Sequence, residues 1–272
     1  MSAPNVRDWK AGALRVRDWG GEGLPTLLLH GMAAHTHWWD SAAPLLAPAL
    51  RAAAIDFRGH GDSDWTADGV YTAETWIDDV EAARAALGWD RFLLVGHSMG
   101  ARVALGYAER HPNRLRGVVA IDFLAELRED RPSRFARLLR RPQPLYESED
   151  AAVARFRLEP DGTTLPPERM RELGRLGVRR GPEGWSWKFD WRALSVRPTP
   201  IWPQLPRVRV PALLARGELT TIVSREDFSR MARELPGARE IEIPGAHHHV
   251  PLDAPAALAA AIAEFAAERT PR

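Results

Sequence analysis

Residues 93–108 read "LLVGHSMGARVALGYA". The apolar run Leu93–Val95 gives way within a few residues to a helical pattern, in which Ala101, Ala104 and Ala108 fall at spacings of three and seven. Gly96, Ser98 and Gly100 stand between the two. A side chain meant to attack a substrate must project from the edge of a sheet. A sharp strand-to-helix turn does this by holding the nucleophile in a strained backbone conformation, and that requires small neighbours on either side. The helix that begins here places its positive N-terminal end behind Ser98. Taken alone, the pentapeptide also has a reading as a glycine-rich turn that serves only backbone geometry, which is the weaker of the two, and the surrounding pattern decides.

That pattern alternates short apolar runs with helical ones, the signature of parallel strands covered by helices. "PTLLLHG" (25–31), "RAAAIDF" (51–57), "RFLLVGH" (91–97) and "LRGVVAID" (115–122) read as buried strands. "WWDSAAPLLAPAL" and residues 73–87 read as helices between them, the second with Trp76, Val80, Ala83 and Leu87 on one face. From about Phe123 to Pro206 the pattern changes to arginine-rich helical stretches broken by prolines, with no strand of the buried kind. Alternation then resumes with "PALLARG" (211–217), "SREDFSRMAREL", "AREIEIPG" and a final helix for which Asp253 is the expected N-cap. The expectation is a mostly parallel central sheet with helices on both faces. Residues 1–122 and 207–272 form this α/β core, and 123–206 form an inserted helical cap.

At 272 residues the chain suits one domain with a large insertion. Lys+Arg 37 against Asp+Glu 36 leaves +1, which gives no electrostatic reason to expect nucleic acid or an anionic membrane as a partner. With no cysteine there is no disulfide, thiolate nucleophile or cysteine metal site. The opening residues contain no apolar stretch resembling a signal peptide, and no run is long enough to span a bilayer, so the expected location is cytoplasmic.

Together "GHSMG", "LLLHGMAAHTHWWD", "DFRGHGDSD" and "GAHHHVPLDAP" make the chain resemble the α/β-hydrolase superfamily, in its esterase-like branch, over roughly 15–122 and 208–270. The cap matches only loosely, through "GWSWKFDW". The resemblance implies that Ser98 is the nucleophile and that the backbone amides of Met32 and Met99 form an oxyanion hole. The family's spacing to the following Leu-Asp and Pro points to His248 as the base, although His247 stands where the family commonly has glycine. Three adjacent histidines also raise metal binding. Consecutive residues seldom aim at one ion and no carboxylate cluster lies nearby in sequence, so no metal is expected. His30, His35, His37 and His60 are expected to shape the loop and pocket entrance, with His97 and His111 structural.

The acid departs from the family's commonest pattern. Thr220 and Thr221 stand where most relatives carry aspartate, and Glu218 lies only one residue after Gly217. Some relatives place the acid at the end of the strand before the cap, where this chain has Asp122. Asp122 is the expected acid and Glu218 the alternative. Asp56 is read as architectural, with Arg58 and Asp62 tying its loop together. Trp185, Trp187, Phe189 and Trp191 alternate at period two and are read as anchors of the cap.

The resulting expectation is a serine hydrolase that cleaves a small-molecule carboxylic ester through an acyl-enzyme, with no cofactor and no metal. Carbon–carbon bond hydrolases, lyases and cofactor-free oxygenases share this fold, as do receptor-like binding modules, so fold alone does not choose among them.

Overall fold

The computed structural model describes residues 6–47, 49–126, 138, 141–197 and 199–269. Eight strands form the main sheet: β1 (Arg7–Ala11), β2 (Leu14–Gly20), β3 (Leu24–Leu29), β4 (Leu50–Asp56), β5 (Phe92–His97), β6 (Leu115–Ile121), β9 (Ala212–Gly217) and β10 (Arg239–Ile243). Their spatial order is β1-β2-β4-β3-β5-β6-β9-β10. From β4 to β10 every neighbour is parallel, whereas β1 and β2 add an antiparallel edge. This edge pair is absent from the sequence reading. Its apolar residues, Leu14 and Val16, alternate with Arg15 and Arg17, so it buries one face only.

Apart from the edge strand β10, the parallel strands are buried on both faces, and their alternate residues feed two separate cores. Leu27, Leu29, Ile55, Leu94 and Val118 face one layer with α2 (Ala73–Ala86), α3 (Met99–Arg110) and α6 (Arg225–Glu234). Leu28, Ala54, Val95, Val119 and Ile121 face the other, with α1 (Ala43–Leu46) and α8 (Pro255–Ala267). Leu27, Leu28 and Leu29 are fully buried, and each such side chain contributes about 1.5–3 kcal/mol. The helix expected in "WWDSAAPLLAPAL" is reduced to a 3-10 turn, Thr36–Trp39, and the single turn of α1. Thr72 starts α2 with a reciprocal cap: its hydroxyl accepts from the Thr75 amide, and the Thr75 side chain accepts from the Thr72 amide. Asp253 does not cap the last helix: it ends the short α7 (Val250–Asp253), α8 begins at Pro255 after Ala254, and the Asp253 carboxylate is engaged elsewhere.

Within the expected helical cap the described residues include α4 (Glu149–Val153), α5 (Pro167–Leu176) and a two-stranded hairpin, β7 (Val178–Gly181) with β8 (Gly184–Trp187). The hairpin corrects the purely helical expectation. Its first strand carries Arg179 and Arg180 outward, so it lacks the apolar run of a buried strand. A small core of Ala152, Val153 and Val178 holds it against α4, with Tyr146, Trp185 and Trp187 packed around. Residues 127–137 and 139–140 of this block lie outside the described residues.

Candidate active site

The strand-to-helix turn at Ser98 is strained in the sense the sequence suggests, with φ 56° and ψ −116° between β5 and α3. The glycines serve a purpose other than clearing the serine itself. A Cβ on Gly96 would lie 2.1 Å from the Gly100 carbonyl oxygen, and one on Gly100 would lie 2.6 Å from that of His30. They allow the helix to start directly over its own strand and against the loop after β3. The Ser98 amide donates to the Ile121 carbonyl at 2.8 Å, tying the turn to the end of β6.

Asp122 follows Ile121 with φ 43°, a left-handed conformation that aspartate tolerates better than most residues. Its amide donates to Ala215 of β9, so the adjoining strand fixes its position. His248 reaches this edge from the loop after β10. Its Nδ1 donates to Asp122 Oδ1 at 2.7 Å, and Ser98 Oγ donates to its Nε2 at 3.1 Å. The chain therefore brings together Ser98, His248 and Asp122 in one hydrogen-bonded line. Burial pushes the Asp122 carboxyl up to about 6, opposed by the Gly217 amide donating to Oδ2 and the Thr220 hydroxyl donating to Oδ1, each at 2.8 Å. Burial pushes His248 down to about 3, so its imidazole is neutral near pH 7 and able to accept a proton.

Glu218 lies outside this line. It is exposed and accepts from the Gly245 amide at 2.8 Å. Thr220 stands where most relatives were expected to carry the acid, and it spends its hydroxyl on Asp122. This is a role the sequence reading did not assign.

Met32 and Met99 are half-buried, and both pack against the core. Gly31 lies so near Ser98 that a Cβ there would stand 3.2 Å from the serine Cβ, which brings the Met32 loop alongside the nucleophile position. Met99 opens α3, so its amide has no acceptor within the helix. Among the described residues neither amide donates to a protein group. The arrangement offers two backbone donors beside Ser98.

These groups sit in a cavity of about 480 Å³. Met32, His35, Phe156, Trp187, Phe189 and Trp191 contribute to its wall. The aromatic alternation is thus more than an anchor: three of its four members line the cavity. Trp185 instead pairs with Tyr146 in the cap, and Phe189 also rests on His60 with ring centres 4.8 Å apart. Arg141 and Arg155 line the same cavity without an ion-pair partner among the described residues.

The surrounding framework departs in detail from expectation. Asp56 itself ties the loops, accepting from the Thr36 amide at 2.6 Å and the Asp62 amide at 2.8 Å, while burial pushes its carboxyl up to about 6. Arg58 turns instead to Asp79, and Asp62 to Lys188 of the cap. Asp253 binds in two directions. Oδ1 accepts from the Thr163 hydroxyl at 2.6 Å and the Thr164 amide at 2.9 Å, and Oδ2 accepts from the His247 amide at 3.0 Å. His97, read as structural, donates from Nε2 to the His248 carbonyl at 2.8 Å and lies beside that imidazole. A separation of 151 residues hid this contact from the sequence.

Comparison with known proteins agrees with this architecture. A family model described as alpha/beta hydrolase fold matches residues 25–255. The 2-(acetamidomethylene)succinate hydrolase of Mesorhizobium japonicum is 29% identical over 257 residues, covering 93% of this chain and 91% of that protein. Esterase Rv0045c of Mycobacterium tuberculosis is 26% identical over 262 residues, covering 94% of this chain and 87% of that one. Among solved structures, E-2-(acetamidomethylene)succinate hydrolase matches with a TM-score of 0.81 at 27% identity, covering 96% of this chain and 98% of the other.

Proposed function

Because the chain belongs to the α/β-hydrolase family and is a hydrolase, we propose that it cleaves carboxylic esters through an acyl-enzyme formed on Ser98. The observation that carries this reading is the unbroken line Ser98 Oγ–His248–Asp122, with contacts of 3.1 and 2.7 Å. His248 Nε2 takes the serine proton as Oγ attacks the carbonyl carbon. Asp122 holds the Nδ1–H tautomer and stabilises the imidazolium as it forms. The developing oxyanion is held by the Met32 and Met99 amides, each worth about 2.7–4 kcal/mol in comparable sites. The imidazolium then protonates the leaving alcohol, and water, activated by the same histidine, releases the acid and restores Ser98.

Arg141 and Arg155, exposed at the cavity and without an ion-pair partner among the described residues, favour an ester, or a related acyl compound, that carries a carboxylate away from the scissile bond. The M. japonicum relative, whose name gives a succinate derivative as its substrate, is consistent with this class.

The test is hydrolysis of aryl esters with and without a terminal carboxylate, by the parent and by Ser98→Ala. The parent is expected to turn over the esters, with a lower KM for the carboxylate-bearing set. Ser98→Ala is expected to lose on the order of 10⁶ in kcat while remaining folded by circular dichroism. Retention of activity within about tenfold would overturn the serine mechanism.

A further inference from the structure

His97, His248 and His249 are buried at 2%, 4% and 4% exposure, and one ring nitrogen from each lies within 4.8 Å of the others. All three line the cavity, so an ion arriving from solvent can reach them. Their tautomers are fixed by the acceptors around them. His248 gives its Nδ1–H to Asp122, His97 its Nε2–H to the His248 carbonyl, and His249 its Nε2–H to the Pro160 carbonyl at 3.1 Å. Each neutral imidazole is left with one lone pair, at His248 Nε2, where it accepts from the Ser98 hydroxyl, and at His97 Nδ1 and His249 Nδ1. Among the described residues the last two have no hydrogen-bond partner although they are buried, which costs stability unless something fills the position.

This is the donor set of a three-imidazole metal site. The oxygen behind each ring plays the part that orients a metal-bound histidine and raises its basicity, and Asp122–His248 forms a carboxylate–histidine pair of that kind. An ion with bonds of about 2.1 Å to nitrogen needs its ligands about 3.4 Å apart, so the rings tilt inward as it binds.

We propose that His97, His248 and His249 form a binding site for an imidazole-preferring divalent transition-metal ion such as Zn²⁺, and that occupancy switches the enzyme off. The ion takes the His248 lone pair that otherwise receives the Ser98 proton, so no nucleophile is generated while it is bound. Oxygen-preferring Mg²⁺ is excluded, because the site offers nitrogen donors in a narrow space. Metal binding itself is independent of the esterase reading, whereas inhibition rests on it.

The test separates the two. Zinc is titrated calorimetrically into Ser98→Ala, which keeps all three imidazoles, and into the same protein carrying His97→Asn or His249→Asn. Cobalt absorbance in the visible reports the geometry. One Zn²⁺ per chain with a tetrahedral cobalt spectrum is expected, and each asparagine variant is expected to weaken zinc at least tenfold. In the parent, zinc is expected to stop ester hydrolysis, chelator to restore it and Mg²⁺ to have no effect. If His97→Asn fails to fold, His249→Asn carries the comparison. Unchanged zinc affinity in the folded variants, or Mg²⁺ binding as tightly as Zn²⁺, would overturn the site. Zinc binding with full ester turnover would overturn the switch. Zinc binding that depends on His249 in a parent lacking ester activity would support the site and overturn the ester reading alone.

Discussion

Thr220 donates its hydroxyl to Oδ1 of Asp122, the same oxygen that receives the His248 proton. From the β9 side the Thr220 hydroxyl, the Gly217 amide and the Arg216 guanidinium therefore all favour the ionised form of this buried carboxyl. With burial holding Asp122 up at about 6 and His248 down at about 3, the imidazole stays neutral near pH 7 and the acid limb of the pH profile reports protonation of the hydrogen-bonded Asp122–His248 pair. A protonated Asp122 cannot stabilise the imidazolium, so kcat/KM is expected to fall as pH drops through about 6. Thr220→Val removes a donor that favours the charged form, which moves the limb to higher pH. A limb unmoved in a folded Thr220→Val protein would show that another group titrates. Asp122→Asn is expected to lose on the order of 10⁴ in turnover through the wrong tautomer, and Glu218→Gln far less, with folding checked by circular dichroism. The reverse ranking would move the acid to Glu218. Asp122 could be considered from the sequence because it ends an apolar strand at the point where some members of the family it resembles carry the acid. The role of Thr220 could not, since a threonine in place of an acid looks like an absence until its hydroxyl has a partner.

The elements that carry these residues were legible wherever burial forced a pattern. β3, β4, β5, β6 and β9 are inaccessible on both faces and so read as unbroken apolar runs ending in glycine, histidine or aspartate. β1 and β2, and the cap hairpin β7–β8, were missed because each presents charged or half-exposed residues, and pairing alone defines them as strands. At the turn between β5 and α3 the close approach of Gly96 to the Gly100 carbonyl is backbone against backbone, with no flexible side chain to yield. Gly96→Ala is therefore expected to destabilise the protein by at least about 1–3 kcal/mol, read as a lower urea midpoint with unchanged slope. An unaltered midpoint would mean that the junction is looser than its geometry indicates.

Across the whole molecule the described part of the inserted block joins the core through apolar side chains, Phe189, Ala193 and Leu194 on one side of the sheet and Leu158 and Leu173 on the other, and through a set of polar contacts. The Tyr71 hydroxyl donates to Asp190 at 2.8 Å, the Asp190 amide donates to the Gly59 carbonyl, and Lys188 pairs with Asp62 at 2.9 Å. On the opposite side, Asp253 joins Thr163 and Thr164 to the loop that carries His248. The sequence reading made this aspartate a helix cap because it precedes a helical run, and nothing local distinguishes that use from a bond to residues 89 positions away. Asp253→Ala is expected to lower kcat by about 10²-fold, since a shift near 1 Å at the histidine is enough for a loss of that size. Equal kcat with a raised KM would place its effect on substrate entry alone.

The double grip of Asp253 also bears on how this scaffold can be re-engineered. Grafting a different cap is commonly treated as a change of selectivity, a matter of which molecules enter. Here one carboxylate serves both the cap and the histidine loop, so a graft that omits the hydroxyl of Thr163 and the amide of Thr164 also removes half of the clamp beside the proton acceptor. Such chimeras would be slow with every substrate, and a library screened only for altered preference would record them as inert. Keeping residues 160–165 with the core, rather than with the exchanged segment, separates the choice of guest from the speed of the reaction.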